Sequence, residues 1–285
     1  MTIAVTFLPR TAPSPLPPVA FIGGGNMASA IIGGLIQQGS PAESFEVVEP
    51  FEEARAKLAQ SFGIIAKAEA GEALSRCEVV VWAVKPQTFA EATRPVREFA
   101  DGALQLSVAA GIPSDSIARW LGTERVVRAM PNTPALVGKG MTGLFARAGV
   151  TGADRSLVGQ LLAPTGELIW VDAEPALDAV TAMSGSGPAY VFYFIEAMTE
   201  AGVEMGLTPD QAQRLAIGTF TGASALAHSA TEPPSVLRAR VTSKGGTTYA
   251  AITSLEAADV KAQFKTAIRA AQKRAAELGE EFGRG

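Results

Sequence analysis

The chain has 285 residues, 47% apolar and 18% charged, with a formal net charge of -4, one cysteine and one histidine. That length holds two domains of ordinary size, and the slightly acidic balance excludes a phosphate-backbone partner, which needs clustered Lys and Arg. Cys77 alone makes no intrachain disulfide and fits a reducing compartment such as the cytoplasm, and His228 alone leaves neither a His pair for a metal nor a His-centred triad.

In chain order, residues 3–8 are apolar but too short for a secretion signal and lack its basic start. Pro9, Pro13, Pro15, Pro17 and Pro18 keep residues 9–18 from pairing inside a sheet, and residues 1–18 read as a Pro-rich tail. From 19 to 172, short β-type runs at 19–22, 45–48, 79–84, 104–108, 126–129 and 143–145 alternate with stretches of helical spacing such as 27–36 and 52–62. This alternation predicts an α/β domain of Rossmann type, with a doubly wound, mostly parallel sheet. From 173 to 285 the texture changes to Ala-rich segments of helical periodicity at 189–202, 210–228, 235–240, 247–255 and 259–278. They predict an all-α second domain whose apolar faces exceed what it can bury alone, so we expect them to pack on a second subunit. No run approaches the roughly 20 apolar residues that cross a bilayer, so a membrane is not an expected partner.

Val19-Ala-Phe-Ile-Gly-Gly-Gly-Asn-Met-Ala28 is a strand running into a Gly-rich turn and then a helix. Gly23 permits the tight turn, Gly25 lets a pyrophosphate approach the helix N-terminus, and Ala28 is small enough for close helix–sheet packing. A strand before, a helix after and an acid at the end of the next strand raise this pattern above a ligand-free turn. Glu49 is that acid. Two readings stand for it: a carboxylate that binds the adenosine ribose and disfavours a 2′-phosphate, favouring NADH, or a solvated residue opening the next helix beside Pro50. Ala83, Val84, Lys85 and Pro86 lie at the end of the run at 79–84, and Val108, Ala109 and Ala110 at the end of the run at 104–108, so both loops are expected to line the crevice at the C-terminal strand ends. Lys85 is equally readable as a surface charge that stops an apolar strand. Cys77 reads as core filler and His228 as a helix-surface residue.

Val241-Thr-Ser-Lys-Gly-Gly-Thr-Thr-Tyr249 surrounds a glycine pair with small hydroxyl residues. Such a segment is a loop or helix cap, and it can also bring backbone N–H groups close to a small carboxylate. Ser184-Gly-Ser-Gly-Pro-Ala-Tyr190 reads as a helix start with Ser186 as N-cap and Pro188 in the first turn. Asn132, inside Met-Pro-Asn-Thr-Pro, reads as a turn former at the crevice floor.

Taken together, Ile22-Gly-Gly-Gly-Asn-Met27, Ala83-Val-Lys-Pro-Gln87, Arg128-Ala-Met-Pro-Asn-Thr-Pro-Ala135, Ser184-Gly-Ser-Gly-Pro-Ala-Tyr190 and Val241-Thr-Ser-Lys-Gly-Gly-Thr-Thr248 resemble the pyrroline-5-carboxylate reductase family from about residue 19 to the end. The resemblance implies a Rossmann-type domain, a helical domain that dimerises by interlocking, and a site formed where the cofactor meets the partner's helices. It implies that Gly23, Gly24, Gly25, Asn26, Met27, Ala83, Val84, Lys85, Pro86, Val108, Ala109 and Ala110 hold NADPH or NADH. It places the substrate's carboxylate and ring nitrogen at Ser243, Gly245, Gly246, Thr247 and Thr248, with Thr248 as the residue on the ring nitrogen. Lys244 stands where the family pattern usually has Pro, which loosens the turn and adds a cation beside it. The implied reaction carries a hydride to the imine carbon of 1-pyrroline-5-carboxylate and yields L-proline, and it needs neither metal nor histidine because a protonated imine is already electrophilic. Rival readings are a reductase of another cyclic imine and a binding module without turnover. A β-hydroxyacid dehydrogenase is disfavoured because residues 189–202 contain no Lys.

Overall fold

Five strands, β1 (Val19–Ile22), β2 (Phe45–Val48), β3 (Val79–Trp82), β4 (Leu104–Ser107) and β5 (Val126–Met130), lie parallel in the order β2-β1-β3-β4-β5. Beyond them β6 (Gly140–Ala146) runs antiparallel to β5, and β7 (Gly166–Trp170) parallel to β6. Every residue of β1, β3 and β4 is buried, as parallel strands covered on both faces require. This computed structural model describes residues 16–283; the apolar run 3–8 and most of the Pro-rich tail lie outside the described residues. The last of the tail is anchored, with Leu16 against the core and the Pro18 carbonyl accepting from Glu78 N–H at 3.0 Å.

Val48 pairs in parallel with Lys67, whose N–H donates to Val47 O while Glu49 N–H donates to Lys67 O, both at 2.8 Å. The sheet therefore has the strand order of a dinucleotide fold, with one outer strand reduced to a single bridge.

Helices α1 (Asn26–Gln37) and α2 (Glu52–Phe62) cover one face through Ala28, Ile31, Ile32, Leu35 and Leu58. On the other, α3 (Phe89–Val96) and α4 (Ser114–Leu121) bring Phe89, Val96, Ile117 and Leu121 to Trp82. Helix α5 (Gly152–Leu162) joins the first face and is started by a reciprocal cap between Thr151 and Asp154.

The runs at 19–22 and 45–48 form strands as expected, whereas those at 79–84 and 104–108 stop at Trp82 and Ser107, where the chain turns into loops. Residues 143–145 are only the middle of β6, and β7 lies outside every strand run that the sequence pattern shows. It is a half-exposed edge strand, short and entered through Gly166 at φ +135°.

Past the sheet, α6 (Ala176–Val180) continues into a π turn, Thr181–Gly185, and then α7 (Gly187–Glu204), α8 (Pro209–Ser229), α9 (Pro234–Arg240), α10 (Thr247–Ala257) and α11 (Val260–Gly283) follow. Ser186 is not the expected cap: its backbone is helical (φ -84°, ψ -17°) and its side chain makes no capping bond, because the π turn feeds α7 without a break. In α7 to α11 the buried residues are small, Gly202, Ala212, Ala216 and Ala275. The end of α11 returns to the sheet domain, where Phe282 packs on the second face and Gly283 O accepts from Ser116 Oγ at 2.8 Å.

Candidate active site

The chain leaves β1 toward β2 on one side and returns to β3 on the other, so a crevice opens at the C-terminal ends of β1 and β3. Gly23 lies there at φ +95°, and a Cβ on it would stand 2.6 Å from Ala83 O, so only glycine fits on both counts. Gly24 is pinned beneath the turn, its N–H donating to Glu49 Oε2 at 2.8 Å, and a Cβ on it would meet Leu58 Cδ1 at 2.6 Å. Gly25 differs: nothing lies within 4 Å of where its Cβ would be. The opening lies at the N-terminus of α1, which has no side-chain cap and no acid in its first turn, so its free amides can meet an anion. Asn26 is exposed, Met27 half-buried and Ala28 buried against the sheet. These residues fit the pyrophosphate of a dinucleotide.

Glu49 is not the solvated residue that one of its two sequence readings expects. It is 6% exposed, and its carboxylate accepts from Gly24 N–H and, through Oε1 at 2.9 Å, from Phe51 N–H. The acid shapes the Gly-rich turn, leaving one further lone pair on each oxygen. Arg55 lies just outside, donating to Glu49 O at 3.0 Å and Pro50 O at 2.7 Å.

Ala83 and Val84 are half-buried at the end of β3, while Lys85 is exposed and its carbonyl accepts from Thr88 at the start of a single 3-10 turn that includes Pro86. After β4, Val108 and Ala109 are buried, Ala110 is exposed, and Val108 N–H donates to Trp82 O at 3.0 Å. These segments come together at one edge of the sheet.

The 241–249 segment sits on the helical region. Gly245 has φ +78°, and Gly246 N–H donates to Ser243 O at 3.0 Å, closing a turn against Ser243. Helix α10 starts from Gly246 with no side-chain cap and no acid in its first turn. Thr247 is exposed, Thr248 half-buried, and Lys244 exposed on the turn. Among the described contacts this turn reaches α9, through Thr242 Oγ1 to Arg238 O at 2.7 Å, rather than the crevice of its own chain.

Cys77 fills core, and burial, reinforced by Glu46 and opposed by Arg76, pushes its thiol up to about 11, so it is an inert thiol at neutral pH. His228 is exposed on α8, 3.7 Å from Glu167 of β7. Among the described residues no cluster of metal-ligating side chains occurs, and no helix is long and apolar enough to cross a membrane.

Sequence reasoning missed two polar assemblies. Glu174 accepts from Ser114 N–H at 2.6 Å, Ser114 Oγ and Arg128, tying the interdomain linker to the start of α4. Asn132 does open a turn, its carbonyl accepting from Ala135 N–H at 3.1 Å, and its carboxamide also bonds through both ends, to Met141 N–H at 2.9 Å and Ser184 O at 3.0 Å. Partners 60 and 52 residues away leave no local signal.

A Gly-rich turn at the strand switch, an uncapped helix N-terminus after it and a helical region appended to the sheet define a nicotinamide-dinucleotide oxidoreductase of two-region architecture. The family model "Pyrroline-5-carboxylate reductase dimerisation" matches residues 174–278, and "NADP oxidoreductase coenzyme F420-dependent" matches 18–111. Pyrroline-5-carboxylate reductase of Pseudomonas aeruginosa is 46% identical over 275 residues, 94% of this chain and 98% of its own; that of Arabidopsis thaliana is 36% identical over 92% and 95%. Among solved structures, a pyrroline-5-carboxylate reductase from Coxiella burnetii superposes with TM-score 0.87 at 36% identity over 92% of this chain and 98% of its own. Pyrroline carboxylate reductase of Plasmodium falciparum with NADP bound does so with TM-score 0.82 at 27% identity, with the same shares covered. The chain belongs to the pyrroline-5-carboxylate reductase family.

Proposed function

We propose that the protein reduces 1-pyrroline-5-carboxylate to L-proline, the last step of proline synthesis, in a homodimer whose helical region delivers substrate to the partner's dinucleotide crevice. The observation that carries this reading is the pairing of two uncapped helix N-termini, at α1 and α10, one behind Gly25 and the other behind Gly246. The first suits a pyrophosphate and the second a single carboxylate. When bound, the nicotinamide supplies the hydride, and the imine nitrogen carries the proton.

The protein's work is to hold and orient. The amides opening α10 receive the carboxylate, and Thr248 hydrogen-bonds the ring nitrogen, with Thr247, Gly245 and Ser243 shaping the turn. The dimer is supported by Phe192, Tyr193, Leu215 and Leu226, which are large, apolar and exposed on α7 and α8. The lone buried thiol is consistent with a reducing compartment such as the cytoplasm. For the cofactor we infer that both forms are used: Glu49 keeps lone pairs for ribose hydroxyls, and Arg55 offers a cation to a 2′-phosphate.

Oxidation of NADH and NADPH is to be followed with 1-pyrroline-5-carboxylate and its six-membered homologue in parallel. Oxidation is expected with the five-membered imine; none with either ring would overturn the reading. In Thr248→Ala, turnover should fall by about tenfold or more with NAD(P)H affinity kept, the loss of one well-placed donor. Unchanged turnover would remove Thr248 from the mechanism.

A further inference from the structure

The chain enters α7 through the π turn Thr181–Gly185, closed by Ser186 N–H to Thr181 O at 2.8 Å. Such a turn shifts carbonyls off their usual partners, and those shielded from water must find donors elsewhere. Two side chains supply them. Tyr190 Oη donates to Ala182 O at 3.1 Å, and Asn132 Nδ2 to Ser184 O at 3.0 Å. At its other end Asn132 Oδ1 accepts from Met141 N–H at 2.9 Å. This pairing defines the orientation of the carboxamide, since a flip would set donor against donor and acceptor against acceptor.

Asn132 stands two residues past the end of β5, on the same edge of the sheet as the loops after β1, β3 and β4. Around it the π turn is held at further points. A Cβ on Gly185 would lie 2.6 Å from Met130 Cε, and one on Gly143 of β6 would lie 2.6 Å from Val180 Cγ1. Tyr190 in turn meets Phe264 of α11 edge to face, with ring centres 5.6 Å apart. The turn is thus the joint at which the rim of the crevice meets the helical region.

We propose that Asn132 is a positioning residue for hydride transfer: its carboxamide holds the π turn against the end of β5 and so sets where α7, and the subunit packed on it, stand relative to the nicotinamide end of the crevice. The proposal rests on the functional reading above, in which cofactor and substrate are held by different protomers. Reacting atoms must meet within about 3–3.5 Å, and a displacement of about 1 Å from a remote change costs on the order of a hundredfold.

The test compares wild type with Asn132→Asp and Asn132→Ala. The Asp variant keeps the acceptor for Met141 N–H but sets a carboxylate oxygen against Ser184 O; the Ala variant removes both bonds without adding charge. Each should remain a dimer by light scattering and bind NAD(P)H, by fluorescence titration, within about threefold of wild type, while kcat falls at least about tenfold. In the Asp variant, kcat relative to wild type should rise as pH falls from about 8 toward 5, because the facing Ser184 carbonyl and partial burial disfavour the carboxylate and protonation restores the donor. Wild-type kcat in both variants, or a loss lying wholly in NAD(P)H affinity, would overturn the proposal while leaving the functional reading intact. If the Asp variant does not fold, the Ala variant decides by the same kcat and affinity readings. Absence of NAD(P)H oxidation by the wild type with 1-pyrroline-5-carboxylate would overturn the functional reading and this proposal with it.

Discussion

In the sheet region Val19, Phe21, Val79, Val81, Leu104 and Leu106 are fully buried by helices of the same chain, whereas in the helical region Phe192, Tyr193, Leu215 and Leu226 are between 59% and 70% exposed. The residues that α7 and α8 do bury are Gly202, Ala212 and Ala216. Hydrophobic stabilisation follows the apolar area removed from water, about 25 cal/mol per Å². One region therefore completes its core within the chain, and the other leaves large apolar side chains uncovered, the face on which we propose that a second copy packs. The proposed site is divided in the same way, with the candidate dinucleotide crevice on the first region and the candidate carboxylate turn on the second.

The severest test of that contrast is Phe192→Asp. Phe192 lines an open apolar groove of about 580 Å³ with Phe194, Phe220 and Phe264, and a charge that the proposed dimer would bury there is uncompensated. Light scattering should show the dimer lost and turnover reduced by about a hundredfold or more, while NAD(P)H still binds. A dimer retained with full activity would break the comparison.

Gly23→Ala attacks the other half. The residue's φ of +95° and the 2.6 Å approach to Ala83 O make any Cβ strained, so the dinucleotide dissociation constant should rise by at least about tenfold with the dimer intact. Fluorescence titration separates this from loss of the dimer.

The smallest effect concerns stability alone. Asp154 caps α5 and pairs with Arg125 at 2.6 Å, and chiefly that guanidinium's hydrogen bond holds its carboxyl below the ordinary range. A depressed carboxylate pKa contributes stability that is present above the unfolded-state value, near 3.9, and lost as pH falls through the folded-state value. In urea unfolding at neutral pH, Asp154→Asn should cost about 1–3 kcal/mol, reduced from a fully buried pair because Arg125 is partly exposed. The gap from wild type should close below about pH 4. A loss independent of pH would assign the effect to packing instead.

Much of this was legible beforehand. The Gly-rich turn is read from adjacent residues because its constraint is local: a positive φ and a helix N-terminus. The helices α7, α8 and α10 follow from periodic spacing, and their surplus of apolar faces already called for a partner. Other features had no local signature. β7 alternates half-exposed and exposed residues and stays in the sheet only through β6. Glu49 lies where a ribose acid is expected, yet its orientation depends on Gly24, 25 residues earlier. The bonds from Glu174 to Ser114 and from Asn132 to Ser184 join segments that are near each other only after folding.

What the sequence by itself determined is the inventory: a Rossmann-type half, a helical half with more apolar surface than it can bury, and two glycine-marked turns suited to a dinucleotide and a small carboxylate. These are properties of neighbouring residues and of periods 2 and 3.6, which survive without knowledge of the third dimension. Only the tertiary structure decided how the pieces are held, which carboxylate turns inward, where the π turn widens the helix and what braces it. Hydrogen bonds act over about 3 Å, and which distant groups come within that reach is a consequence of the whole packing.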